Sequence, residues 1–68
     1  MRILKIIEER KRNKQIKYSQ IARELNISRQ DLNYHLRNLK KHKITFSIEQ
    51  IKIICKFLKI DISIFFAD

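Results

Sequence analysis

The sequence predicts an all-α fold, and three features predict it. Neither glycine nor proline occurs in its 68 residues, so the two residue types least compatible with a helix interior are missing. Apolar residues recur at spacings of three and four, the period of a helix with one buried stripe. One start signature also returns along the chain: a short polar cap residue, an apolar residue just before it, and a second apolar residue five positions beyond that one.

The first helix is expected over 2–12, where Ile3, Leu4, Ile6 and Ile7 give way to the basic stretch Arg10, Lys11, Arg12, Asn13 and Lys14. The second, over 18–25, follows Ile16-Lys17-Tyr18-Ser19-Gln20-Ile21; Lys17 holds the cap position there, and Ser19 is the alternative cap. The third, over 28–41, opens on Ile27-Ser28-Arg29-Gln30-Asp31-Leu32, with Asp31 placing an acid where the helix dipole favours one. The fourth, over 48–58, opens on Phe46-Ser47-Ile48-Glu49-Gln50-Ile51. Ile48, Ile51, Ile54, Cys55 and Leu58 form its expected buried stripe, with Glu49, Lys52 and Lys56 opposite. The fifth, over 62–66, repeats the signature in Ile60-Asp61-Ile62-Ser63-Ile64-Phe65. Five helices joined by short connections make one domain over residues 1–68.

The charge is unevenly spread. The net charge is +9; residues 1–43 carry 13 Lys and Arg against four acids, while residues 44–68 carry three against three. A basic excess of this size points to an acidic partner such as nucleic acid or an anionic membrane surface, and it assigns the charged half to binding and the neutral part to packing or assembly. No apolar run approaches the roughly 20 residues of a membrane span. Cys55 is the only cysteine, which excludes an intrachain disulfide and suits a reducing compartment. A cytoplasmic, nucleoid-associated location is therefore expected.

The segment from Tyr18 to Leu36 reads as a short helix, a tight turn and a longer helix, a helix-turn-helix at about 18–39. Ala22 falls where the two helices cross closely, and Ile21, Leu25, Ile27, Leu32 and Leu36 fall where they fill the space beneath. The turn needs a left-handed residue, and Asn26 accepts that conformation more readily than other non-glycine residues. On the longer helix Leu32, Leu36 and Leu39 line one side, while Arg29, Gln30, Asn33, Arg37 and Lys41 line another. Arg pairs with guanine, and Asn or Gln with adenine, through two hydrogen bonds in the major groove. Arg29, Gln30, Asn33 and Tyr34 are thus the expected base contacts on double-stranded DNA. Lys14, Lys17, Tyr18, Ser19, Ser28, Arg37, Lys41 and Lys43 are the expected phosphate contacts.

With Ile21-Ala22, Asn26-Ile27-Ser28 and Leu32 in the motif core, the chain resembles the Cro and phage-repressor type of helix-turn-helix protein, the lambda-repressor-like or XRE family. The tail from Ser47 to Phe66 resembles that family's fourth and fifth helices. The resemblance implies a compact five-helix DNA-binding domain, a transcriptional regulator, and DNA contacts at Tyr18, Arg29, Gln30 and Asn33. The chain departs from the pattern in Lys17 at a usual Ser or Thr cap, in Leu36 where Glu is common, and in about four extra residues before Ser47. Leu32-Asn-Tyr-His-Leu-Arg-Asn-Leu39 also resembles winged-helix regulators. That fold requires a β-hairpin over residues 43–55, which contain no turn dipeptide and show a helix start instead.

Ile53 and Phe57 lie off the main stripe of the fourth helix, and Ile64, Phe65 and Phe66 crowd the end of the chain. Of these, Ile53, Phe57, Ile64 and Phe66 are the expected homodimer contact, since a palindromic operator calls for two recognition helices related by a two-fold axis. His35, His42 and Cys55 match no metal-site spacing. No nucleophile with an adjacent base and no glycine-rich phosphate loop is present. A non-enzymatic protein without cofactor, metal, membrane or small-molecule ligand is the expectation; the rivals are a DNA-binding accessory factor for recombination, replication or plasmid maintenance, or an antitoxin, and a basic helical module that binds an acidic protein or a membrane.

Overall fold

A computed structural model describes residues 1–66. It contains helices α1 (Arg2–Arg12), α2 (Tyr18–Leu25), α3 (Arg29–Lys40) and α4 (Ile48–Leu58), then a closing 3-10 helix (Ile62–Phe66). The fifth element is therefore not an α-helix. Its five residues are held by an i+3 bond, from the Ile64 N–H to the Asp61 carbonyl at 3.1 Å, which is the tighter 3-10 pattern of short segments. No strand occurs among the described residues, and α4 fills most of the segment where a winged-helix hairpin would lie.

Helix starts follow local chemistry. The Ser28 hydroxyl accepts the Asp31 N–H at 3.0 Å. Ser47 accepts from the Gln50 N–H at 3.1 Å, and Gln50 Oε1 accepts the Ser47 N–H at 2.8 Å, a complete reciprocal box. At α2 the cap is Lys17, not Ser19. An ammonium has no lone pair to offer, so only half of the box forms: Gln20 Oε1 accepts the Lys17 N–H at 2.9 Å.

Helix ends share one device. Lys14, Asn26, His42 and Lys59 all have φ between 56° and 60°. Each closes its helix with a pair of bonds running back six and four residues inclusive, as in Ile27 N–H to Ala22 carbonyl with Asn26 N–H to Arg23 carbonyl, both 3.0 Å. The same pair recurs at Gln15/Arg10 with Lys14/Lys11, at Lys43/Asn38 with His42/Leu39, and at Ile60/Cys55 with Lys59/Lys56. This is the Schellman arrangement, which glycine normally closes because it has no Cβ.

The core gathers Ile3, Leu4 and Ile7 of α1, Ile21, Ala22 and Leu25 of α2, the leucine stripe Leu32, Leu36 and Leu39 of α3, and Ile51, Ile54, Cys55 and Leu58 of α4, with Phe46 and Phe65. Ile48 was expected on the α4 stripe but is 57% exposed. It stands at the first position of α4, on the edge of the stripe, and the preceding Phe46 covers the core there instead. Helix α2 packs on α3 and α4, while α1 packs on α3 and the closing helix. The Arg10 guanidinium donates to the Leu58 carbonyl, joining the end of α1 to the end of α4. Of the expected dimer residues, Ile53 and Phe66 are exposed, and Phe57 and Ile64 are half-buried.

Candidate nucleic-acid interface

The turn between α2 and α3 is made by Asn26 at φ 56°, ψ 44°, with Ala22 buried at the crossing. This sets the leucine stripe of α3 inward. Arg29, Gln30, Asn33, Tyr34 and Arg37 consequently face solvent, as does Lys41 just beyond the helix. Tyr34 is 54% exposed, although its ring meets the edge of His35 at 5.4 Å.

A cleft of about 370 Å³ opens beside the start of α3. Lys11, Lys14, Ile16, Lys17, Tyr18, Ser19 and Arg29 line it. The φ of 60° at Lys14 turns the chain back on itself, so that the end of α1 and the start of α2 face each other across this space. Tyr18 stands in its wall. Lys11 Nζ lies 4.4 Å from the Tyr18 ring centroid and Arg29 Cζ 5.5 Å from it, both within cation–π range. Burial, and after it the nearby Glu8, push the Tyr18 phenol above its ordinary pKa, while Arg29 acts in the opposite sense. The hydroxyl is thus neutral at physiological pH and available as a donor. No side chain caps the first N–H groups of α2.

A second, smaller cleft lies between α1 and α3, lined by Leu4, Glu8, Tyr18, Asn33, Leu36, Arg37 and Lys40. Tyr18 is the partition between the two.

Of the expected phosphate contacts, Lys14, Lys17, Tyr18 and Ser19 meet in the first cleft and Arg37 lines the second. Ser28 is exposed at the start of α3, with its hydroxyl already accepting from Asp31. Lys41 and Lys43 follow the other end of α3, roughly 18 Å along a helix of this length, and line neither cleft. Arg29, expected at a base edge, also lines the cationic cleft. Lys11 escaped the sequence reading: it is seven residues from Tyr18, and only the left-handed turn at Lys14, a residue with no preference for that conformation, brings the two together.

The loop after α3 is fixed by side chains. His35 Nδ1 and Thr45 Oγ1 are 2.6 Å apart, Asn38 Nδ2 donates to the same oxygen at 3.3 Å, and the Phe46 ring stacks on His35 at 4.4 Å. His35 is half-buried against the core. Among the described residues no group of three or more His, Cys, Asp or Glu side chains is placed to hold a metal, and no helix is long and apolar enough to cross a membrane.

A family model described as a helix-turn-helix domain matches residues 1–45, which span α1 to α3 and most of the following loop. No curated protein and no solved structure matches the chain.

Proposed function

The chain belongs to the helix-turn-helix domain family, and from that premise we propose that it is a sequence-specific regulator of transcription, a cytoplasmic repressor that binds a palindromic operator in double-stranded DNA as a homodimer. The observation that carries this reading is the side-by-side placement of an amide-bearing outer face on α3 and the cationic cleft at the start of α2. Gln30, Asn33 and Tyr34 meet base edges in the major groove. Lys14, Lys17, Tyr18 and Ser19 hold one strand's backbone at the near end of α3, with Ser28 and Arg37 beside them. Lys41 and Lys43 approach a phosphate at the far end.

Two observations support the homodimer. Copies carrying +9 each repel, so self-association needs a neutral surface. Five of the six large exposed apolar side chains, Ile44, Ile48, Ile53, Ile62 and Phe66, fall in the neutral part of the chain. Each copy also measures 25 × 23 × 20 Å between Cα extremes. Pairing through that neutral part is proposed to set equivalent α3 helices at the spacing a palindromic operator requires, about one turn of DNA, ~34 Å. The Cro and phage-repressor form of the family is the finer reading, and a helical tail in place of a hairpin favours it.

Selection from a random duplex library at near-physiological salt tests the proposal, with sedimentation equilibrium run alongside. Enrichment of a short palindrome and a dimeric mass are the expected results. DNA retained without an enriched motif would replace the regulator by an accessory DNA-binding factor, and no retention would leave a protein-interaction module.

A further inference from the structure

We propose that Lys11, Tyr18 and Arg29 form a clamp for a single DNA phosphate, and that Arg29, although first on the recognition helix, serves the backbone and reads no base. This rests on the DNA-binding reading above and changes the role of one residue within it.

A guanidinium divides its contacts between its face and its rim. Its flat face stacks on an aromatic ring, while its N–H donors lie in the plane and point outward at the rim. Arg29 Cζ stands over the Tyr18 ring at 5.5 Å from its centroid, and a guanidinium that turns its face to the ring keeps its fork of donors free for a ligand. That fork matches two oxygens of a phosphate as well as it matches the edge of guanine. Position decides between them. Arg29 lines the cleft that Lys11, Lys14 and Lys17 also line, and no carboxylate is among the lining residues. To reach a base the side chain has to leave Tyr18 and this cleft and extend along the solvent face of α3.

Lys11 approaches the same ring, so two cations from different helices are held on one aromatic support. Tyr18 is half-buried and partly fixed by its packing against the core, so it acts as a positioning residue for both. Two cations so placed attract an anion, and the carboxylate near Tyr18, Glu8, lines the other cleft and not this one. The base edges of a duplex carry no formal charge; its backbone carries one per phosphate. A phosphodiester is therefore the ligand that fits the arrangement. Gln30 and Asn33, which line no part of this cleft, remain free for bases.

The test compares the wild type with Arg29→Ala, Arg29→Lys and Lys11→Ala on a scrambled duplex across a salt series, followed by library selection with each variant. Circular dichroism melting verifies the fold, which exposed positions leave intact. On the scrambled duplex, Arg29→Ala and Lys11→Ala are each expected to make the slope of log K against log salt shallower, by at most about 0.9 for the two together because they share one phosphate, with Arg29→Lys retaining the wild-type slope. Arg29→Ala is expected to select the same motif as the wild type, with affinity lower by about tenfold on every sequence. An unchanged slope overturns the clamp. A motif that becomes degenerate at any position in Arg29→Ala overturns the backbone role, whatever the slope does. If the wild type enriches no motif, the regulator reading fails while the slopes on scrambled duplex still judge the clamp.

Discussion

The guanidinium of Arg10 donates a hydrogen bond to the backbone carbonyl of Leu58 across 48 residues of chain. The acceptor belongs to the last turn of α4, whose carbonyls carry the negative end of the helix dipole. One basic residue of the cationic half is thus occupied internally, binding the family-matched segment to the tail that completes its core. Arg10→Ala is expected to lower stability by about 1.5–3 kcal/mol, the range for hydrogen bonds involving a charged group. Urea unfolding measures it. Because this guanidinium already has a partner, the salt slope of DNA binding should change less in Arg10→Ala than in Lys14→Ala.

Lys59 closes α4 at φ 58°. A side chain with a Cβ costs about 1–2 kcal/mol in that conformation, and glycine escapes most of the cost. Lys59→Gly is therefore expected to stabilise the protein by about 1 kcal/mol, a rise of roughly 4–8 °C in Tm for a domain of this size. Lys59→Ala, which removes the charge and keeps the Cβ, should leave the melting temperature near that of the wild type. Equal gains from both would show that charge, and not backbone conformation, sets the cost.

Gln30 and Asn33 project from the solvent face of α3, free of the clefts' cations on the Gln30 side and next to Arg37 on the Asn33 side. As base-reading amides, each is expected on truncation to alanine to relax preference at its own base pair by about 1–3 kcal/mol. Competition titrations with single-base operator variants read the effect directly. Uniform weakening over all variants would assign these residues to the backbone.

Asp61 accepts the Ser63 N–H at 2.8 Å and so starts the closing 3-10 helix. Hydrogen bonds from the Ser63 backbone and then its side chain hold the carboxyl below its ordinary pKa. The folded form thus favours the carboxylate. Its stabilising contribution is complete above the unfolded value and is lost as pH falls through the lowered one. On acidification the Ser63 amide resonance should shift with the lowered pKa of Asp61, and Asp61→Asn should abolish that step. A Ser63 amide indifferent to pH would mean that the bond does not persist in solution.

How much of this was legible depended on how local the physics was. The caps Ser28 and Ser47 and the left-handed Asn26 were readable because the residue type itself favours the conformation. The leucine stripe of α3 was readable from its period. Lys14 and Lys59 adopt the same backbone as Asn26 without any such preference, so their identity announces nothing. Contacts between distant positions were equally silent: nothing in the sequence pairs Arg10 with Leu58, or stacks Phe46 on His35. The candidate site divides in the same way. Its amide-bearing face followed from helical spacing, whereas the cleft that draws in Lys11 and Arg29 follows from the turn at Lys14 between the end of α1 and the start of α2. Ile48 failed for a related reason, since periodicity tells which side of a helix it faces but not where the core ends.

The packing of α1 against the closing 3-10 helix has a kinetic consequence. The α2–α3 pair joins neighbours in sequence and forms quickly. Seating Phe65 beside α1 closes a loop of about fifty residues, which costs roughly 3–4 kcal/mol of chain entropy before any contact repays it. Local pairing is therefore expected to come and go many times before the two ends meet, with their meeting limiting the rate. A Phe65→Leu substitution should accordingly slow refolding in stopped-flow traces; faster unfolding alone would place that meeting after the barrier.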